Sequence, residues 1–133
     1  MRLSERSRVA LVATGGAAGA VARWRLAVAY PAATGAFPLT TFLVNVVGAG
    51  LLGYLVGRVP VTGERSEAIR LALGPGVLGG FTTFSTYAVE VARATAHNHG
   101  DTAVTYAVLS VAAGIVAAVV GLAVGAAAAE TRR

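Results

Sequence analysis

From Leu71 to Val89 the chain carries no charged residue, yet it sets Gly74, Pro75, Gly76, Gly79 and Gly80 ahead of five hydroxyl-bearing side chains, Thr82, Thr83, Ser85, Thr86 and Tyr87. An uncharged stretch of this length fits the hydrocarbon core of a bilayer. Proline removes a helical hydrogen bond and glycine loosens a helix, so the first half of the stretch makes an uneven helix. A helix broken at membrane depth persists only where its freed backbone groups face protein, water or an ion. The segment therefore predicts an interrupted transmembrane helix with a site at the interruption.

Composition puts the rest of the chain in the same surroundings. With 56% hydrophobic and 13% charged residues and a mean hydropathy of +0.69, it is too apolar for an ordinary soluble domain. All eleven basic residues are arginine, and they flank apolar runs without forming a stripe interleaved with aromatics. The net charge of +5 thus points to lipid headgroups and away from nucleic acid. There is no cysteine, which excludes disulfides and thiolate metal sites.

Hydropathy predicts four spans in one all-α unit covering residues 1–133: about Val9 to Tyr30, Leu39 to Val59, Leu71 to Ala94 and Ala103 to Ala129. The connectors are Pro31 to Pro38, a hydrophilic segment from Arg58 to Arg70, and Ala96 to Thr102. The first run imitates a cleavable signal peptide, ending in Ala27-Val28-Ala29. We read it as a span, because Arg23 and Arg25 interrupt it and because it holds Gly15, Gly16 and Gly19. Small residues four apart let membrane helices approach closely, and the spacing recurs at Gly15/Gly19, Gly53/Gly57, Gly76/Gly80 and Gly121/Gly125.

Polar side chains at membrane depth add to the picture: Asn45, with Thr40 and Thr41 nearer the start of the second span, and Tyr106 and Ser110 on one face of the fourth. An unpartnered amide or hydroxyl costs roughly 2–7 kcal/mol in hydrocarbon. Any one of them is explained by interhelical hydrogen bonding. Together with the Thr-Thr-Phe-Ser-Thr-Tyr run they predict a polar track. Glu90 is the only acidic residue within a span, and its place near the end of the third predicts interfacial solvation. His97 and His99 stand in a polar loop and are read as solvated, with no metal role.

Gly79-Gly80-Phe81-Thr82-Thr83-Phe84-Ser85-Thr86-Tyr87, preceded by Gly74 and Gly76, resembles the third-helix signature of the Fluc (CrcB) fluoride channels. Gly15-Gly16, Gly19-Ala20 and Arg23-Trp24 resemble that family's first helix, Asn45 with Gly48 its second, and Tyr106 with Ser110 its fourth. The resemblance implies a multi-pass protein of the cell membrane, a dual-topology-type dimer of antiparallel four-helix subunits with two fluoride pores and a structural sodium ion at its centre. It implies backbone carbonyls of Gly79 and Thr82 as sodium ligands. Phe84 and Tyr87 correspond to the pore-lining phenylalanine pair. Asn45, Ser85, Thr86, Tyr106 and Ser110 correspond to the polar track, and Arg23 to an arginine near the end of the first helix.

The chemistry suits that expectation. Fluoride is small and strongly hydrated, so a pore must replace water with neutral donors that do not hold the ion too tightly. Aromatic edges are electropositive and offer weak contacts to an anion. A hard cation such as sodium suits carbonyl oxygens. The pattern departs at Tyr87, where the family has phenylalanine; the phenol narrows the pore, binds fluoride through its hydroxyl, or marks an altered pore half. Two rivals remain: a small proton-coupled drug exporter, which needs a membrane-embedded carboxylate, and a non-conducting assembly subunit of a membrane complex. Arginine also bears on topology. One side would carry Arg2, Arg6, Arg8, Arg58, Arg65, Arg70, Arg132 and Arg133, against Arg23, Arg25 and Arg93 on the other. The imbalance predicts cytoplasmic termini and insertion mainly in one orientation, hence pairing with a related, oppositely inserted subunit. The alternative is a homodimer of one dual-topology chain.

Overall fold

A computed structural model describes residues 3–33 and 35–131, which leaves Arg2, Arg132 and Arg133 of the topology argument outside the described residues. Those residues fold entirely as helices and connecting turns. Helix α1 (Glu5–Ala29) starts one turn before the apolar run, because the Ser4 hydroxyl accepts from the Ser7 amide and Glu5 sits at the positive end of the helix dipole. Helix α2 (Leu39–Arg58) follows a turn rich in proline and glycine.

The segment from Arg58 to Arg70, expected to be a connector, is mostly helical. Gly63, at φ +99°, turns the chain into α3 (Glu64–Leu71), whose Glu64 and Glu67 lie in the first turn and Arg70 in the last. Those charges suit the helix dipole, so hydrophilicity alone misassigned the segment. Arg70 donates to the Val59 carbonyl at 2.8 Å, closing the end of α2, and Glu67 pairs with Arg8 of α1.

From Ala72 to Leu78 the backbone widens into a π-helical segment around Pro75. Proline has no N–H to give, and the wider repeat lets neighbouring amides find other carbonyls. One α-turn follows (α4, Gly79–Phe81), then the helix stops at Thr82 and Thr83, both extended, and resumes as α5 (Phe84–Ala96). Helix α6 (Gly100–Glu130) closes the chain. By length and composition α2 and α6 can each cross a membrane as a single apolar helix. The broken helix divides its crossing between two pieces.

Small residues decide how these helices pair. A Cβ on Gly15 would run into the Ala72 carbonyl and one on Gly19 into the Val77 carbonyl, so α1 lies backbone to backbone against the π-helical segment. Gly53 and Gly57 meet the Ala118 and Leu122 carbonyls, and Gly121 and Gly125 meet those of Gly50 and Tyr54. The fold is thus two close helix pairs, α1 with the broken helix and α2 with α6. Such contact suits lipid, where water expulsion between helices contributes little and close packing contributes most. Most large apolar side chains of α6, among them Val104, Val108, Val116 and Val119, stay exposed. That is an uncovered surface fit for lipid or another subunit.

Candidate functional site: a polar break and an aromatic groove

The site is organised by the two extended residues. Asn45 reaches across from α2 and holds Thr83 twice, accepting from its N–H at 2.8 Å and donating to its carbonyl at 3.0 Å. Asn45 thus acts first as a clamp that replaces the missing helical partners. Thr83 also caps α5, its hydroxyl accepting from the Thr86 amide at 3.1 Å and contacting the Ser85 and Thr86 hydroxyls at 3.3 and 3.0 Å. These bonds have a consequence for the carbonyls before the break. In a continuous helix Gly79 would accept from the Thr83 N–H and Thr82 from the Thr86 N–H; both donors are engaged elsewhere. The two carbonyls are therefore released from helical bonding. The Gly80 carbonyl between them accepts from Arg23 Nε at 3.2 Å, which ties α1 to the break.

On one side of the break lies an open groove of about 690 Å³, whose lining includes Asn45, Gly79, Thr82, Phe84, Tyr87 and Ser110. The Phe84 ring is 79% exposed and stands 5.7 Å, centroid to centroid, from Tyr87. The Ser110 Oγ is buried and has no hydrogen-bond partner within the subunit. Ser110 thus keeps an unused hydrogen-bonding group beside the groove.

At Tyr87 the ring and the hydroxyl have separate partners. Its hydroxyl donates to the Ala107 carbonyl of α6 at 3.2 Å, while its ring lines the groove and lies 5.3 Å from the Tyr106 ring. The phenol is a tether between α5 and α6, and the ring is what the groove sees. Tyr87→Phe should therefore leave transport within about threefold of wild type, at a stability cost of about 0.5–1.5 kcal/mol for one ordinary hydrogen bond. A tenfold or larger loss of transport in a folded protein would instead make the hydroxyl a ligand.

On the other side the polar residues continue into the subunit. Thr83, Thr86, Thr41, Thr40 and Arg23 surround a small cavity of about 40 Å³. Glu90, expected to be solvated at an interface, is half-buried and fully engaged: Thr41 Oγ1 donates to one carboxylate oxygen at 2.8 Å and the Tyr106 hydroxyl to the other at 2.6 Å. Tyr106 is 1% exposed. The track expected from Ser85, Thr86, Tyr106 and Ser110 is thus not one cluster. Ser110 faces the groove, Thr86 the small cavity, Tyr106 the carboxylate, and Ser85 lies exposed beside the cap. Glu90 was missed because its partners come from other helices. The available signal was its position three residues after Tyr87 and four after Thr86, on the same face of α5.

The chain resembles a family of known proteins. The family model described as CrcB-like protein, Camphor Resistance (CrcB), matches residues 10–122. A fluoride-specific ion channel FluC of Novosphingobium aromaticivorans is 44% identical over 118 residues, which cover 86% of this chain and 93% of the relative. That of Deinococcus radiodurans is 44% identical over 120 residues, covering 86% and 92%. Fluoride-specific ion channel FluC 2 of Streptomyces avermitilis is 44% identical over 98 residues, where the match spans 74% of this chain and 62% of the relative's length.

Proposed function

This chain belongs to the CrcB-like family, and from that premise we propose that it forms a fluoride-selective channel that lets the ion run passively out of the cell across the cytoplasmic membrane. The observation that carries the reading, beside the names of its relatives, is a groove lined by Phe84, Tyr87 and Ser110, with the Phe84 ring exposed and the Ser110 hydroxyl unpartnered within the subunit. Neutral donors and electropositive ring edges replace the hydration of a small anion without trapping it. Fluoride release from liposomes with equal pH on both sides tests the passive mechanism. The held carboxylate of Glu90 is what a proton-coupled exporter would need, so flux appearing only under a proton gradient would favour that reading.

The groove is open on one face, and the exposed Phe84 ring is suited to burial against a second, oppositely inserted subunit. In that assembly the released carbonyls of Gly79 and Thr82 supply hard oxygen ligands, and two subunits together offer a set suited to sodium. A bound sodium ion contributes a fixed positive charge near the path of the anion. Replacing sodium with a much larger monovalent cation should lower fluoride flux at least severalfold without any sodium gradient. Unchanged flux after verified removal would take the cation out of the assignment.

The arginine imbalance supports a chain that inserts mainly with its termini in the cytoplasm and pairs with a related subunit of opposite orientation. The contact of Arg8 with Glu67 puts the start of α1 and the start of α3 at one end of the bundle, as that count requires. Reporter fusions at the C-terminus should give a signal from the cytoplasmic side alone. Equal signals from both sides, or full activity of this chain by itself, would favour the homodimer.

A further inference from the structure

Two residues of α2 meet the two extended residues of the break. Asn45 holds Thr83, and Gly48, three positions on and on the same face of α2, meets Thr82. A Cβ added to Gly48 would run into the γ-methyl group of Thr82. The next nearest atoms, Cδ1 of Phe81 at 3.6 Å and Cβ of Thr82 at 3.7 Å, stand at ordinary contact distance. Gly48 differs in this from Gly53 and Gly57 further along the helix, where the obstacles are the Ala118 and Leu122 carbonyls of α6. Those glycines let two backbones touch. Gly48 is buried and leaves a notch for one methyl group.

That methyl has no easy way out. Thr82 Oγ1 donates to the Leu78 carbonyl at 2.9 Å, and the same carbonyl accepts from the Thr82 N–H at 3.0 Å. A threonine side chain has three staggered rotamers, and only the present one puts the hydroxyl on that carbonyl and the methyl in the notch. Either of the others takes the hydroxyl off its acceptor. Bond and notch together hold Thr82 against α2 at the residue where the helix stops, with φ −78° and ψ 158°.

We propose that Gly48 is a positioning residue of the channel, whose missing side chain sets how closely Thr82, and with it the end of the break, approaches α2. This rests on the channel reading above. An alanine at position 48 drives Thr82 away from α2, while Asn45 still accepts from the N–H of Thr83. The displacement is then taken up in the peptide unit between the two threonines, which carries the released Thr82 carbonyl on one side and the N–H held by Asn45 on the other. Packed interiors resist such overpacking and answer it with shifted backbone.

The test is a double-mutant cycle on the assembled channel, with fluoride release from liposomes and melting temperature in detergent read for every variant. Gly48→Ala should lower flux by at least about tenfold and lower the melting temperature. Thr82→Ser removes the methyl and keeps the hydroxyl, and should cost less flux, about two- to threefold, through a notch left empty. In Gly48→Ala/Thr82→Ser the new Cβ takes the vacated space, so flux should recover to within about twofold of Thr82→Ser alone, and the melting temperature with it. If Gly48→Ala does not fold, recovery of a folded and conducting double variant gives the same answer. Thr82→Ser added to Gly53→Ala should recover nothing, because there the obstacle is backbone. Wild-type flux in Gly48→Ala, a double variant no better than Gly48→Ala, or a melting temperature that recovers without flux would each overturn the inference while leaving the channel reading intact. A wild type that passes no fluoride would remove both.

Discussion

Phe84→Ile should slow fluoride conduction by about 100-fold or more while the protein still folds. The ring is 79% exposed within the subunit, so the replacement disturbs little of the subunit's own packing. What it removes is the polarised edge. Aromatic edge contacts contribute roughly 0.5–1.5 kcal/mol in ordinary settings, and electrostatic contacts strengthen in a low-dielectric pore. A loss of about 3 kcal/mol along the path corresponds to about a hundredfold in rate. Flux from liposomes, measured beside the elution volume of the purified protein in detergent, separates a silent channel from an unfolded one. Wild-type flux from well-folded Phe84→Ile would take Phe84 out of the permeation path.

Asn45→Ala acts more deeply, on the break itself. The substitution strands the Thr83 N–H and carbonyl, which Asn45 satisfies together. Each stranded group costs about 1–3 kcal/mol where water does not replace the lost partner. The freed Thr83 N–H can then return to the Gly79 carbonyl and bring the break closer to continuous helix. Thermal stability in detergent should fall, and flux should fall by at least tenfold in whatever protein remains folded. A melting temperature and a flux both equal to wild type would mean that the break is held by something else.

The broken helix was legible because its causes are local. Pro75, the surrounding glycines and two adjacent threonines all sit in one short stretch. The glycine spacing likewise announced close helix contacts, since a residue without a side chain at membrane depth has few other uses. The roles of Glu90 and Tyr87 were hidden for the opposite reason. Whether a carboxylate near a span end is solvated or held depends on Thr41 of α2 and Tyr106 of α6, which only the fold brings beside it. The Tyr87 hydroxyl was free to point into the groove until α6 offered the Ala107 carbonyl. The segment from Glu64 to Arg70 misled for a third reason: it is charged yet helical, and its order lay in its capping pattern, with acids first and arginine last.

Selection of fluoride by neutral donors and ring edges in the groove can be checked by anion release from liposomes read with fluoride and chloride electrodes in parallel. The pH is kept equal across the membrane, and the charge is balanced by a potassium ionophore. Trapped fluoride should be lost rapidly, with chloride release indistinguishable from that of empty liposomes. Chloride release at a rate comparable to that of fluoride would contradict that selection.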